Sequence, residues 1–253
     1  MKKEKKINNL VLGAFKKSLY YRISLLISFF VSAIGYFDTP ANGNLFETLH
    51  ASFSNMYCLL ALAFLFIVNI IYLYYYMLKN SVFILRNKNN EDYYKNSIKF
   101  IININNNLFF KYLSFAFLLA IVKSFGKISF EMYINYNIPL IIYVIFFIAR
   151  VYFMINLISM IAYFLIIIFK NNNIPLILYI ILFSYTFLNT VYDIRLVSSI
   201  WKIKIFFGYY LTGFNCTSFL LEISLSIIYI FCLYYLILFI GKIIKEKIKD
   251  YVI

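Results

Sequence analysis

Few side chains in this sequence stand at the spacing that catalysis or metal binding requires. His50 is the only histidine, and the three cysteines, Cys58, Cys216 and Cys232, show no paired spacing. A zinc site needs a close group of His, Cys or carboxylate ligands, and a nucleophilic serine or cysteine needs a neighbouring base. The sequence offers neither arrangement, which argues against a membrane-embedded enzyme. A lone histidine between apolar segments is typical of a surface residue.

The sequence also lacks the glycine-rich loop that holds the phosphates of ATP. That loop has the pattern G-x-x-x-x-G-K-[ST]. Gly126-Lys127 and Gly241-Lys242 are each followed by isoleucine and lack the upstream glycine. We therefore do not expect this chain to hydrolyse ATP, and we predict no cofactor site on it.

Three polar residues inside apolar runs remain as candidates for function. Arg150 is ionisable and lies near the middle of such a run, and ionisable residues in a membrane are costly and often functional. Either Arg150 faces a polar interior or substrate path, or its helix shifts so that the guanidinium reaches an interface. The acidic residues that could pair with it are Glu131, Asp193 and Glu222. Asn69 and Asn156 would join neighbouring helices by hydrogen bonds, the commoner role of such asparagines, or line a translocation path.

The composition places these residues in a membrane protein. The chain has 253 residues, of which 64% are hydrophobic and 13% charged, and its mean hydropathy is +0.83. Soluble domains are about 45–50% apolar and about 25% charged. We predict an all-α, polytopic membrane protein with a single transmembrane domain over residues 1–253. Disorder, a coiled coil and a secreted disulfide scaffold are excluded.

A helix that crosses a bilayer needs about 20 mostly apolar residues. Six segments meet this requirement, at 19–37, 53–76, 108–130, 139–160, 174–192 and 223–240. The third contains Lys111 and Lys123, whose long side chains can extend to opposite interfaces. The segment 190–221 mixes charged and apolar residues, which predicts an interfacial or partly re-entrant segment on the outer side.

The charge distribution predicts the orientation of these spans. The chain has 24 Lys+Arg and 10 Asp+Glu, a formal net charge of +14. With six spans, 18 of the basic residues fall on the side of the two termini and six elsewhere. Because basic residues concentrate on the cytoplasmic side, both termini are predicted to be cytoplasmic. Anionic lipid, rather than nucleic acid, is the expected counterpart of this charge.

Two inner segments have features of their own. Residues 7–18 place apolar residues at helical spacing opposite lysines and asparagines, which predicts an amphipathic helix in the inner headgroup layer. The loop 79–107 combines an apolar patch, mixed charges and a tyrosine pair. We interpret it as a docking site for a soluble partner, and the alternative is a plain solvated loop. Its candidate docking residues are Phe83, Arg86, Lys88, Glu91, Asp92, Tyr93 and Tyr94.

This layout resembles the membrane subunit of ABC-2-type exporters, in particular the permeases of bacteriocin and lantibiotic export and self-immunity systems in bacteria. The resemblance covers the whole chain and rests on the amphipathic start, six spans, a charged second inner segment, a tight inner loop after Lys170 and an apolar outer segment before the last span. It implies that 7–18 is the elbow helix and that the loop around Arg86–Tyr94 is the coupling helix for a separate ATPase subunit, which would bind ATP and Mg. It also implies a second permease, identical or a sister chain, and a place in the bacterial plasma membrane.

Two other classes of function are alternatives. A secondary transporter or channel without an ATPase predicts paired intramembrane acids or helices broken at mid-depth. The three prolines avoid the middle of the clean spans, which disfavours that class. A membrane-embedded enzyme is disfavoured by the missing catalytic groups.

Overall fold

The computed structural model describes residues 13–39, 44–79, 90–128, 132–133, 135–192, 209–214 and 216–252. Its helices are α1 (Leu19–Asp38), α2 (Leu45–Ser54), α3 (Met56–Leu73), α4 (Asn90–Ser124), α5 (Leu140–Phe169), α6 (Ile174–Tyr192), α7 (Tyr209–Thr212) and α8 (Phe219–Val252). A π-helical turn, Tyr74–Leu78, extends α3. Two short strands, β1 (Met132–Tyr133) and β2 (Ile138–Pro139), form an antiparallel pair ahead of α5.

Five helices within the described residues are long and apolar enough to cross a membrane. They are Leu19–Asp38, Met56–Leu73, Glu91–Ser124, Leu140–Phe169 and Phe219–Ile244. Helix α6, with 19 residues, occupies the position predicted for the fifth span. The prediction of an all-α, polytopic membrane protein of about six helices is confirmed.

Helix α1 packs through a stripe of small residues. Ser18 begins it, because its hydroxyl accepts the backbone N–H of Tyr21. The buried face repeats at helical spacing and includes Ser24, Ser28, Ser32 and Gly35. Small side chains let helix backbones approach closely, the usual means of packing in a membrane, where burial of apolar surface drives little association. At Gly35 the approach is so close that a Cβ would overlap the backbone of Ser52 in α2.

The second predicted span begins where two helices, α2 and α3, are joined at Asn55. This residue has an extended backbone, and its side-chain oxygen accepts the N–H groups of Tyr57 and Cys58 at the start of α3. Its amide nitrogen also donates to Asp38 at the end of α1 (2.9 Å). The helix therefore breaks where an N-cap is more favourable than another turn.

The prediction of a loop over residues 79–107 is wrong for residues 90–107, which are helical. Helix α4 has 35 residues, about 52 Å at 1.5 Å per residue. Three consecutive asparagines lie inside this helix, although asparagine is more typical of a helix start, because tertiary hydrogen bonds hold them there. Asn105 donates to Asn156 (3.1 Å), and the hydroxyls of Tyr152 and Tyr21 donate to Asn106 and Asn107.

The other end of the third span also differs from the prediction. Helix α4 ends at Ser124, not at 130, because Phe125 and Gly126 adopt positive φ values of 49° and 74°. Near this end Lys123 donates to the carbonyl of Tyr36 in the last turn of α1 and to that of Thr39 just after it. Lys111 lies over the ring of Tyr21 at the opposite end of α1, 5.5 Å from its centroid. The two lysines thus mark the two ends of α1.

The helices at the fourth and sixth predicted spans are longer than predicted. Helix α5 continues past 160 to Phe169, where Lys170 adopts a left-handed conformation with a φ of 55°. Helix α8 begins at Phe219 rather than 223 and continues past 240 to Val252. Of the predicted amphipathic helix 7–18, residues 13–17 are helical and 7–12 lie outside the described residues. Of the predicted outer segment 190–221, residues 193–208 likewise lie outside them.

Candidate functional site

The structure pairs Arg150 of α5 with Glu222 of α8. Arg150 Nη1 lies 3.7 Å from Glu222 Oε1, and each side chain is 2% exposed. Arg150 therefore faces the interior of the bundle, the first of the two alternatives for this residue. Glu222 is the partner among the three acids considered; Glu131 and Asp193 lie outside the described residues.

The turn before α8 holds the carboxylate of Glu222 in place. Its two oxygens accept the backbone N–H groups of Phe214 (3.1 Å) and Cys216 (3.4 Å). Gly213 makes this turn possible, because its φ is 73° and a Cβ there would overlap both Arg150 Nη1 and Glu222 Oε1. The chain thus holds both carboxylate oxygens with backbone donors.

Aromatic rings form the walls around the guanidinium. Its central carbon lies 4.2 Å from the ring centroid of Phe147 and 5.6 Å from that of Tyr209. Such stacking attracts a desolvated cation to the negative face of the ring. Phe147 is on α5 and Tyr209 on α7, so the site joins three helices near the predicted outer segment.

Arg150 keeps unused hydrogen-bonding capacity in this buried position. Within the part of the chain that the structure describes, its Nε and Nη2 atoms have no hydrogen-bond partner. A buried donor without a partner carries a desolvation penalty of about 1–3 kcal/mol, or more when charged. The arrangement can therefore accept a further anionic group, such as a carboxylate or phosphate, or it can act as a closed contact between α5 and α8.

His50 lies beside this site, which the sequence did not indicate. It is half-buried on α2, with its ring centroid 5.4 Å from that of Tyr143 and 5.2 Å from that of Phe147. Burial and the charge of Arg150 lower its pKa from 6.5 to about 4. The sequence did contain one signal for a helix at this position. It is the capping box of Asn44 and Glu47, with which α2 begins where an outer loop was expected.

The depressed pKa of His50 predicts a loss of stability in acid. The unfolded chain binds a proton at His50 near pH 6.5 and the folded chain only near pH 4, so stability falls as the pH drops through this window. The loss amounts to at most about 3 kcal/mol. Thermal unfolding at pH 7 and pH 4.5 should show a smaller acid shift for His50→Gln than for the parent. Equal shifts in both proteins would contradict the neutral, buried state of His50.

The two candidate asparagines take structural positions. Asn69 is fully buried, accepts the hydroxyl of Ser24 (3.1 Å) and donates to the carbonyl of Leu65 (2.8 Å), so it joins α1 to α3. Asn156 accepts from Asn105 of α4 and donates to the carbonyl of Tyr152. Asn156 also lines a mainly apolar cavity of about 320 Å³ between α4, α5 and α8.

The candidate docking residues divide into three groups. Phe83, Arg86 and Lys88 lie outside the described residues. Glu91 is exposed in the first turn of α4 and pairs with Lys95 (2.8 Å), and Asp92 beside it is half-buried.

Tyr93 and Tyr94, by contrast, are buried within the bundle, so the expectation that they face a partner is wrong. The hydroxyl of Tyr93 donates to the carbonyl of Leu78 (2.7 Å) after α3. The ring of Tyr94 stacks on Phe164 of α5 with 6.1 Å between centroids, and a Cβ at Gly241 of α8 would overlap the Tyr94 hydroxyl. The start of α4 is therefore packed against the C-terminal parts of α3, α5 and α8.

Among the described residues, no group of three or more His, Cys, Asp and Glu side chains could hold a metal ion. Comparison of the chain with protein-family models, with curated proteins and with solved structures finds no match.

Proposed function

We propose that this chain is the membrane permease subunit of an ATP-driven ABC exporter in a bacterial plasma membrane. A separate ATPase subunit would bind ATP and Mg, and a second permease, identical or a sister chain, would complete the pathway. The cargo would be hydrophobic or amphipathic, such as a peptide, a bacteriocin or a drug-like molecule. The proposal rests on the layout of the chain and on one packing observation.

That observation is the rigid connection between the start of α4 and the two helices of the buried ion pair. From Asn90 to Asn107, which meets Tyr21 near the start of α1, α4 extends about 25 Å along its axis. At its first turns Tyr94 packs against α5 and α8. These are the helices that carry Arg150 and Glu222. A displacement of the segment before α4 would therefore be transmitted to the ion pair through packed side chains.

In this mechanism the ATPase acts on the charged segment that precedes α4. ATP-driven closure of the ATPase pair displaces this segment, and α4 transmits the displacement to α5 and α8. Separation of α5 from α8 parts Arg150 from Glu222 and opens the predicted outer half. The freed guanidinium can then meet an anionic group of the cargo.

A secondary transporter without an ATPase is the second candidate, and one observation favours it. A buried ion pair, Arg150 with Glu222, lies between two helices. Paired ionisable residues inside the membrane occur in transporters that are driven by ion gradients. The two candidates differ in whether a partner ATPase is required.

Co-purification from native membranes distinguishes these candidates. We expect the tagged chain to carry a P-loop ATPase, encoded beside it, in a fixed stoichiometry. Reversing Arg86 and Lys88 to glutamate should reduce the amount of bound ATPase by about tenfold or more, because like charges would then oppose each other at the interface. Reversing Lys245 and Lys247 near the C-terminus is the matched control and should leave the complex intact. A chain that purifies alone would overturn the exporter proposal.

A further inference from the structure

A second polar cavity lies at the start of α1, away from the Arg150 site. It has a volume of about 460 Å³ and lies between the helical stretch 13–17 and the middle of α4. We call it the basic cavity, and the residues that define it are Lys16, Asn106, Asn107, Lys111 and Ser114. Among the described residues, two lysines and no acidic side chain line it. Its charge therefore favours an anion.

The two asparagines present donors to this cavity. The hydroxyl of Tyr152 donates to Asn106 Oδ1 (2.7 Å), and the hydroxyl of Tyr21 donates to Asn107 Oδ1. Within the part of the chain that the structure describes, the two amides make only these side-chain hydrogen bonds, through their oxygens, so their N–H groups remain for a ligand. Two amides and two ammonium groups around one cavity match the oxygens of a phosphate.

The position of the cavity indicates that the phosphate belongs to a lipid. Tyr20 and Tyr72 stack beside the start of α1 with 4.0 Å between centroids, and aromatic residues concentrate at the interfaces of a bilayer. Lys17 and Arg22 flank the same turn of the chain. On the rim of the cavity the ring of Phe110 is 58% exposed, which provides an apolar surface for an acyl chain.

We infer that the basic cavity binds the phosphate headgroup of an anionic phospholipid in the leaflet that contacts the start of α1. Lys16 and Lys111 supply the charge, and Asn106 and Asn107 supply directed hydrogen bonds. The bound lipid joins the helical stretch 13–17 to α4. This site does not depend on an ATPase partner.

Lipid titration of the purified protein in phosphatidylcholine nanodiscs tests this site. Phosphatidylglycerol should bind saturably in native mass spectra and raise the unfolding temperature. The double substitution Lys16→Gln and Lys111→Gln should weaken binding by about 10- to 30-fold, since the phosphate loses two charge-assisted contacts inside the cavity. The matched control, Lys17→Gln with Lys127→Gln, removes the same charge outside the cavity and should bind as the parent does.

A second variant distinguishes binding in the cavity from attraction by overall charge and from loss of folding. Asn106→Asp with Asn107→Asp still accepts the two tyrosine hydroxyls but replaces the amide donors by negative charge, so binding of phosphatidylglycerol should be lost. Equal weakening in the control pair would overturn the inference, because bulk attraction would then explain binding. Inorganic phosphate should bind far more weakly than the lipid. If phosphate alone saturates the site and phosphatidylglycerol adds nothing, the assignment to a lipid is wrong.

Discussion

Replacing Glu222 by glutamine is expected to destabilise the folded protein by about 3–5 kcal/mol, the range for a buried ion pair that loses one partner. Glutamine keeps a side-chain oxygen for the N–H of Phe214, but it leaves the buried guanidinium of Arg150 without a counter-charge. The destabilisation would follow from the unpaired charge rather than from lost volume. Thermal unfolding of the purified protein measures it.

A double-mutant cycle isolates the interaction. Arg150→Met removes the cation and leaves Glu222 as the unpaired charge, so it should also be strongly destabilising. The double variant, Arg150→Met with Glu222→Gln, has no buried charge at this pair and should be more stable than either single variant. Glu91→Gln, which breaks the exposed pair with Lys95, is the matched control and should cost at most about 1 kcal/mol. Additive effects of the two buried substitutions would contradict the pairing.

Substituting Gly213 by alanine is expected to be the next most damaging change. Gly213 and Gly126 have nearly the same φ, 73° and 74°, so an alanine at either position pays the same backbone cost, about 1–2 kcal/mol. They differ in their surroundings, because nothing lies within 4 Å of a Cβ at Gly126, whereas one at Gly213 overlaps Arg150 and Glu222. We expect Gly213→Ala to cost about 1–3 kcal/mol more than Gly126→Ala, the usual range for an overpacked site.

The comparison of these two glycines separates backbone strain from contact with the ion pair. Thermal unfolding of both variants, in the parent and in the Arg150→Met background, measures the difference. The extra cost at Gly213 should shrink when the guanidinium is absent. Equal destabilisation by the two glycine substitutions would show that a Cβ at Gly213 does not clash with the ion pair.

The membrane class and the approximate number of spans could be predicted because they follow from apolar length alone. A bilayer demands about 20 apolar residues per span, and that requirement leaves little room for tertiary context to intervene. The polar residues were harder to place, as Asn105, Asn106 and Asn107 show. In isolation they favour a helix cap, but here partners from α1 and α5 hold them inside α4.

The candidate site could be predicted only in part. Arg150 was recognisable because a charge in an apolar run is costly, and Glu222 was among its candidate partners. His50 was missed, since its surroundings come from α2 and α5, which are far apart in the chain. Tyr93 and Tyr94 were misplaced because an aromatic pair beside charged residues has the same pattern whether it faces a partner or the protein's own helices.

We propose that ATP binding by the partner ATPase opens the buried ion pair between α5 and α8. Ser226 is 1% exposed, one turn after Glu222 on α8. In a variant whose native cysteines are replaced, Ser226→Cys can report this opening without knowledge of the cargo. Thr217→Cys, at an exposed position before α8, is the matched control.

The measurement is the rate at which a water-soluble maleimide labels Ser226→Cys in the purified complex in nanodiscs, with and without ATP and Mg. A hydrolysis-deficient ATPase subunit holds the ATP-bound state. We expect ATP to raise the labelling of Ser226→Cys several-fold and to leave that of Thr217→Cys unchanged. The same labelling rate of Ser226→Cys with and without ATP would show that the ion pair does not open when ATP binds.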